Sequence, residues 1–298
     1  MGDDAQAPKL SFLVGGAPKA ATTSLIEALR PHPDLFIPER KELSFFDGEA
    51  QPPATDLAPY FASAAPHQRL GEGTPWYMSS PTAAERLASL YPHLRVVFVV
   101  REPVARARSH YLHRLSRHSE YRSLEEVLDS ELEDLVEGRW EHRRSYLIRP
   151  GLYASHVELW HGLFSPEQVL VVLFEDLIED PGGTLRTIQR HIGVPPRDGV
   201  LPRENETHQL RGSVVGRTLS RLVLTDTQAK RVVQQLTPQA VRTWTHRTIV
   251  RLNRSRARKS DLIIPEAYLA RMRRWFDPEV DRLASLLGRD LDAWRHGS

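Results

Sequence analysis

Leu10-Ser11-Phe12-Leu13-Val14-Gly15-Gly16-Ala17-Pro18-Lys19-Ala20-Ala21-Thr22-Thr23-Ser24 joins a short apolar run, a glycine-containing turn and the opening of a helix, in that order. The run that ends at Gly15-Gly16 predicts a buried strand. Thr22 to Leu29 predicts a helix with Leu25, Ile26 and Leu29 on one face. Unpaired N–H groups converge at such a helix start, and the helix dipole adds positive potential, so the turn predicts an anion site. Thr22, Thr23 and Ser24 add hydroxyl donors suited to phosphate oxygens, and Lys19 adds a point charge.

Outward from this turn, Arg95-Val96-Val97-Phe98-Val99-Val100 predicts a second buried strand running into Arg101, and Gln168 to Phe174 a third. Pro103 suits the first turn of a helix through about Arg117. Leu124 to Val136 predicts an amphipathic helix whose acids (Glu125, Glu126, Asp129, Glu131, Glu133, Asp134) form a solvated face. Tyr153 to Phe164 and a segment opened by Pro181 and ending near Gly193 predict two more helices, and 266–294 a closing helical pair. Apolar strands alternating with helices predict an α/β fold, a P-loop-like, mostly parallel sheet flanked by helices. Residues 1–9 read as a polar tail and 10–298 as a single domain, with a helical C-terminal insertion or lid at 213–262.

At 298 residues and 40% hydrophobic content the chain can bury a core of that size. It has no cysteine, which excludes disulfides and thiolate metal sites. No run is apolar enough for a membrane span, and no secretory leader is visible, so a cytoplasmic enzyme without stable membrane insertion is expected. Net charge is +2, carried by 35 Arg and only five Lys, two of which are Lys19 and Lys41. Residues 242–259 hold seven cations and no acid, without the interleaved aromatics of a nucleic-acid platform, so no nucleic-acid partner is expected. The histidines show no metal spacing; His110-x-x-His113 lacks a carboxylate in register.

The turn does not satisfy the ATP-binding pattern G-x-x-x-x-G-K-[ST], because Lys19 comes too early and no Gly-Lys pair falls in register. That disfavours a P-loop kinase transferring phosphate from ATP, which needs a magnesium-binding Ser or Thr directly after Gly-Lys. A non-catalytic nucleotide- or glycan-binding module is the other alternative.

Three further segments accompany the turn: Arg40-Lys41-Glu42-Leu43-Ser44-Phe45-Phe46-Asp47, Gly71-Glu72-Gly73-Thr74-Pro75-Trp76-Tyr77, and Arg101 with Ser109. Together they resemble the sulfotransferases that use 3′-phosphoadenosine 5′-phosphosulfate (PAPS), especially the heparan-sulfate branch and its bacterial relatives. The resemblance covers most of 10–195 and resumes at 266–294. It implies that Lys19, Ala20, Ala21, Thr22, Thr23 and Ser24 hold the 5′-phosphosulfate, with Lys19 offsetting charge on the departing phosphate. It implies that Arg101 and Ser109 grip the 3′-phosphate, and that Arg211 and Gly212 close over the nucleotide. Glu42 becomes the general base, while Lys41, Phe45, Glu72, Thr74, Trp76 and Tyr77 line the acceptor side. Tyr153 and Trp160 read as core, and Glu175 and Asp176 as cap or turn residues. Two departures stand out: Ala21 replaces a common glycine, and Gly73 stands where the heparan-sulfate enzymes carry lysine. The implied reaction moves a sulfuryl group from PAPS to a hydroxyl, less readily an amine, of a small glycoside, natural product or carbohydrate. It leaves 3′-phosphoadenosine 5′-phosphate and requires no metal.

Overall fold

The structure is a computed structural model that describes residues 7–48, 52–117, 123–139, 146–202 and 264–295. Five strands, β1 (Leu10–Gly16), β2 (Leu35–Phe36), β3 (Arg69–Glu72), β4 (Arg95–Val100) and β5 (Val169–Leu173), form one sheet in the order β2-β3-β1-β4-β5. All four pairings are parallel. From β1 the chain builds one side of the sheet with β2 and β3, then crosses to the other for β4 and β5. The strand order therefore reverses beside the C-terminal end of β1, where ligands bind in open α/β sheets. The Ala17 N–H donates to the Val99 carbonyl at 2.7 Å, which ties the turn after β1 to the neighbouring strand.

The strands form where the chain is apolar on both faces: every residue of β4 after Arg95 is buried. β2 and β3 were not expected, and both are short, with charge and glycine in β3. Helices α1 (Thr22–Leu29), α2 (Ala58–Phe61), α3 (Pro81–Leu90), α4 (Pro103–Arg117), α5 (Leu124–Val136), α6 (Tyr153–His161), α7 (Phe174–Glu179) and α8 (Pro181–Ile192) follow in chain order. Their ends have local causes. Glu102 starts α4 by accepting the N–H groups of Val104 at 2.7 Å and Ala105 at 2.5 Å. Asp180 caps α8 through the Gly183 N–H at 2.9 Å, and Gly193 ends it in the left-handed region at φ 88°.

Four expectations need correction. The acids of α5 are not all solvated: Glu131 and Asp134 are buried. Glu131 accepts the N–H groups of Leu147, Ile148 and Arg149 at 2.5–2.9 Å, and Asp134 accepts the Tyr146 hydroxyl at 2.6 Å. The second is the closing helical pair. It is one helix, Glu266–Leu287, followed by a short 3₁₀ turn at Asp292–Trp294. Pro278 lies inside that helix, which continues because Met272 and Phe276 before it, and Val280 and Leu283 after it, are all buried. Glu279 on the same face accepts the Ser155 N–H and hydroxyl at 2.9 and 2.6 Å, fastening the helix to α6. Third, α6 ends at His161 rather than Phe164. Fourth, Glu175 and Asp176 occupy the first turn of the short helix α7. Tyr153 and Trp160 are core residues as expected, the latter donating its indole N–H to the Met78 carbonyl at 3.1 Å. Arg211, Gly212, the basic stretch 242–259 and all but the edges of the expected insertion lie outside the described residues.

Candidate active site

The turn after β1 holds two non-glycine residues in the left-handed region, Lys19 at φ 73° and Ala21 at φ 66°. Each costs about 1–2 kcal/mol relative to ordinary backbone, a cost that clusters where a chain binds or reacts. Ala21 is also the N-cap of α1, and no side chain caps that helix from this position. The start of α1, with the buried Thr22 and Ser24 and the half-buried Thr23, has the donors that suit an anion. Ala20 is fully buried beneath them. Gly16 permits the approach of the next layer, since a Cβ there would fall 2.4 Å from Met78 Cβ.

Arg101 reaches the same turn from the end of β4. One guanidinium nitrogen lies 3.5 Å from the Lys19 carbonyl, and the group stacks over Phe174 at 4.5 Å from the ring centre. Tyr153 fixes its backbone by donating to the Arg101 carbonyl at 2.9 Å. Ser109 sits half-buried two turns into α4. The turn and the end of β4 therefore bring Lys19 and Arg101 to one region.

The loop after β2 closes the other side of α1. The Lys41 ammonium donates to the Thr23 hydroxyl and stands 3.7 Å from Glu42 Oε1. Glu42 and Ser44 are both left-handed, at φ 58° and 53°, and Glu42 is half-buried. Four successive backbone donors then meet buried side chains. The Leu43 N–H donates to Glu72 Oε1 at 3.0 Å and the Ser44 N–H to Thr74 Oγ1 at 3.1 Å. Those of Phe45 and Phe46 donate to the Tyr77 hydroxyl oxygen at 2.8 and 3.3 Å. The Thr74 hydroxyl in turn donates to Glu72 Oε1 at 2.5 Å. Phe45 is half-buried, and Phe46 packs edge-on to Tyr77 and Tyr91.

This arrangement corrects the acceptor-side expectation for three residues. Glu72, Thr74 and Tyr77 are 2%, 0% and 0% exposed, and Glu72 Oε1, Thr74 Oγ1 and the Tyr77 hydroxyl are engaged by the loop, while Glu72 Oε2 is buried without a hydrogen-bond partner. Trp76 is buried too, its ring 5.3 Å from that of His110. His110 draws notice in the sequence only as half of a His-x-x-His pair without a carboxylate partner. It is 1% exposed, and neither ring nitrogen has a hydrogen-bond partner. Lys41 and Phe45 remain at the site. Gly73 proves steric as well as electrostatic: a Cβ there would fall 2.1 Å from Ile26 Cδ1, so α1 occupies the space a longer residue would need.

Burial pushes the Glu72 carboxyl up to about 7 from 4.5, against the bonds from Thr74 and Leu43, and nearby Asp47 adds to the rise. The folded protein thus favours the neutral carboxyl. That contribution to stability is complete below the unfolded value and is lost as pH rises through about 7. A Glu72→Gln variant carries no such dependence. Melts at about pH 5 and about pH 8 should show it gaining on the parent by up to about 3 kcal/mol at the higher pH. Buried His110 and His191, shifted downward by burial, work oppositely below their ordinary value but are common to both proteins. A gap that stays constant or shrinks with rising pH contradicts the assignment.

The turn at the switch point and the Glu42 loop thus flank the first turn of α1, where open α/β sheets bind ligands. The profile of the Sulfotransferase domain matches residues 11–283, and the chain belongs to the sulfotransferase family. It is 31% identical over 183 residues to the mouse (Mus musculus) heparan sulfate glucosamine 3-O-sulfotransferase 3B1, covering 61% of this chain and 45% of that protein. It is likewise 31% identical over 199 residues to the mouse bifunctional heparan sulfate N-deacetylase/N-sulfotransferase 4, covering 62% and 22%. The chain spans less than half the length of these relatives. Among solved structures, a sulfotransferase from Alicyclobacillus acidocaldarius superposes with a TM-score of 0.67 at 25% identity, covering 97% of this chain and 99% of that one. Among the described residues, no helix is long and apolar enough to cross a membrane, and no group of three or more His, Asp or Glu is placed to hold a metal ion.

Proposed function

We propose that this protein transfers a sulfuryl group from PAPS to a hydroxyl of a small glycoside, natural product or carbohydrate. The carrying observation is Lys41, which links Thr23 at the phosphate turn to Glu42, so that the base and the anion site flank the first turn of α1. The left-handed turn, the uncapped start of α1 and Arg101 suit a nucleotide with phosphates at both ends. Lys19 and residues 20–24 would hold the 5′ end, and Arg101 with Ser109 the 3′-phosphate. Arg211 and Gly212 are assigned to closure over the nucleotide on sequence alone. Bound there, PAPS supplies the sulfuryl group and a phosphate leaving group.

Glu42 takes the proton of the acceptor hydroxyl as its oxygen bonds to sulfur. Lys19 offsets the charge that collects on the departing phosphate as the S–O bond breaks. The relatives' names refer to heparan sulfate. Here Ile26 fills the space beside Gly73, leaving the site without the lysine of that branch, which supports a smaller or less charged acceptor. A cytoplasmic setting is consistent with a chain free of cysteine.

Titration calorimetry tests the donor. The protein should bind 3′-phosphoadenosine 5′-phosphate without magnesium, and at least 100-fold more tightly (about 2.7 kcal/mol) than ATP with magnesium. The reverse order would instead indicate a kinase. An acceptor screen with isotopically labelled PAPS, read by mass shift, then identifies the acceptor.

A further inference from the structure

We propose that Glu72, Thr74 and Tyr77 are positioning residues that hold the backbone of the Glu42 loop in its reactive shape, through hydrogen bonds to four consecutive amides. The inference rests on the reading of Glu42 as the base. Glu42 and Ser44 both occupy the left-handed region, a shape that two non-glycine residues do not keep unaided. What over-determines it is a connected set of buried acceptors. Tyr77 serves two amides, Thr74 one, and Glu72 one, with the Thr74 hydroxyl both accepting from Ser44 and donating to Glu72.

The three residues come from rigid parts of the frame. Glu72 ends β3, where it pairs with Leu13 of β1, and Tyr77 opens a 3₁₀ turn packed under Phe46. The strand that precedes the phosphate turn and the strand that carries this support are therefore neighbours in one sheet. A displacement of the base by about 1 Å can cost on the order of 100-fold in rate. The sheet and the buried hydroxyls fix Glu42 relative to Lys19 without touching substrate themselves.

The test uses the full chain and three readouts: turnover, affinity for 3′-phosphoadenosine 5′-phosphate, and amide hydrogen exchange at residues 43–46. Tyr77→Phe keeps the ring and removes the acceptor. It should speed exchange at Phe45 and Phe46 at least tenfold, lower kcat about 10- to 100-fold, and leave nucleotide affinity within about twofold. Glu72→Gln, which retains an acceptor for the Leu43 amide, should keep most of the turnover that Glu72→Ala loses. In a Glu42→Ala background, Tyr77→Phe should cost no further turnover, because the residue it serves is gone.

Equal losses in both backgrounds would overturn the proposal, as would unchanged exchange and kcat in Tyr77→Phe. If Tyr77→Phe does not fold, Thr74→Val carries the same comparison at the Ser44 amide. Full turnover in Glu42→Ala alone would overturn the base assignment. Amide exchange, which needs no turnover, tells that result apart from failure of the support.

Discussion

Replacing Glu42 by glutamine should leave binding of 3′-phosphoadenosine 5′-phosphate within about twofold and lower kcat by about 10²–10⁴-fold. The asymmetry follows from where the residue sits. The proposed nucleotide grip consists of the turn after β1 and Arg101, and Glu42 belongs to neither. Its carboxylate shares Lys41 with Thr23, so losing the charge removes only one of that ammonium's partners. Glutamine preserves shape in a left-handed position and isolates the proton-accepting function. Calorimetry and initial rates on one preparation decide the matter. Turnover at the parent rate would remove Glu42 as base, and a parallel collapse of nucleotide affinity would recast it as a binding residue.

The second large effect concerns stability. Glu131→Ala should destabilise the fold by about 3–5 kcal/mol, because three buried amide donors lose their acceptor at once. Glu131 is 1% exposed and receives Leu147, Ile148 and Arg149, the residues that lead into α6. Arg106, fully buried on α4, donates to the Leu147 carbonyl beside it, so both polar groups of Leu147 depend on this cluster. Denaturant unfolding measures the loss. A change below about 1 kcal/mol, the scale of an exposed acid, would mean these amides find another acceptor. Catalysis should suffer less than stability, since the amides Glu131 holds belong to residues 147–149 rather than to the turn after β1 or the Glu42 loop.

The sequence is most readable where one local cause suffices. β1 and β4 are continuous apolar runs, Pro103 and Pro181 begin helices, and Gly193 ends one. The strand, turn and helix around Gly16–Ser24 follow in that order as the local pattern predicts. β2 and β3 are not readable, because two and four residues with glycine and charge show no alternation and pair only once β1 exists. Pro278 invites a break that packing on α6 overrides. On α5 the spacing itself separates Glu131 from Glu133, since Glu131 shares a face with Val127, Leu128 and Leu135; what the sequence hides is its partner, the amides of 147–149 that make a buried acid tolerable. Glu72, Thr74 and Tyr77 fail as ligand contacts for the same reason. Their spacing marks them as a group, but whether their oxygens face a cleft or a neighbouring loop depends on the loop's own backbone.

Ile26 and Gly73 have a consequence for anyone transplanting specificity into this scaffold. The methyl tip of Ile26 occupies the position where any side chain at 73 must begin. Introducing lysine there thus requires the Ile26 tip to turn aside, or a smaller residue at 26. Bulk gained at 73 must be met by movement or loss of bulk at 26, so the extra charge comes with an adjustment in the helix that follows the turn.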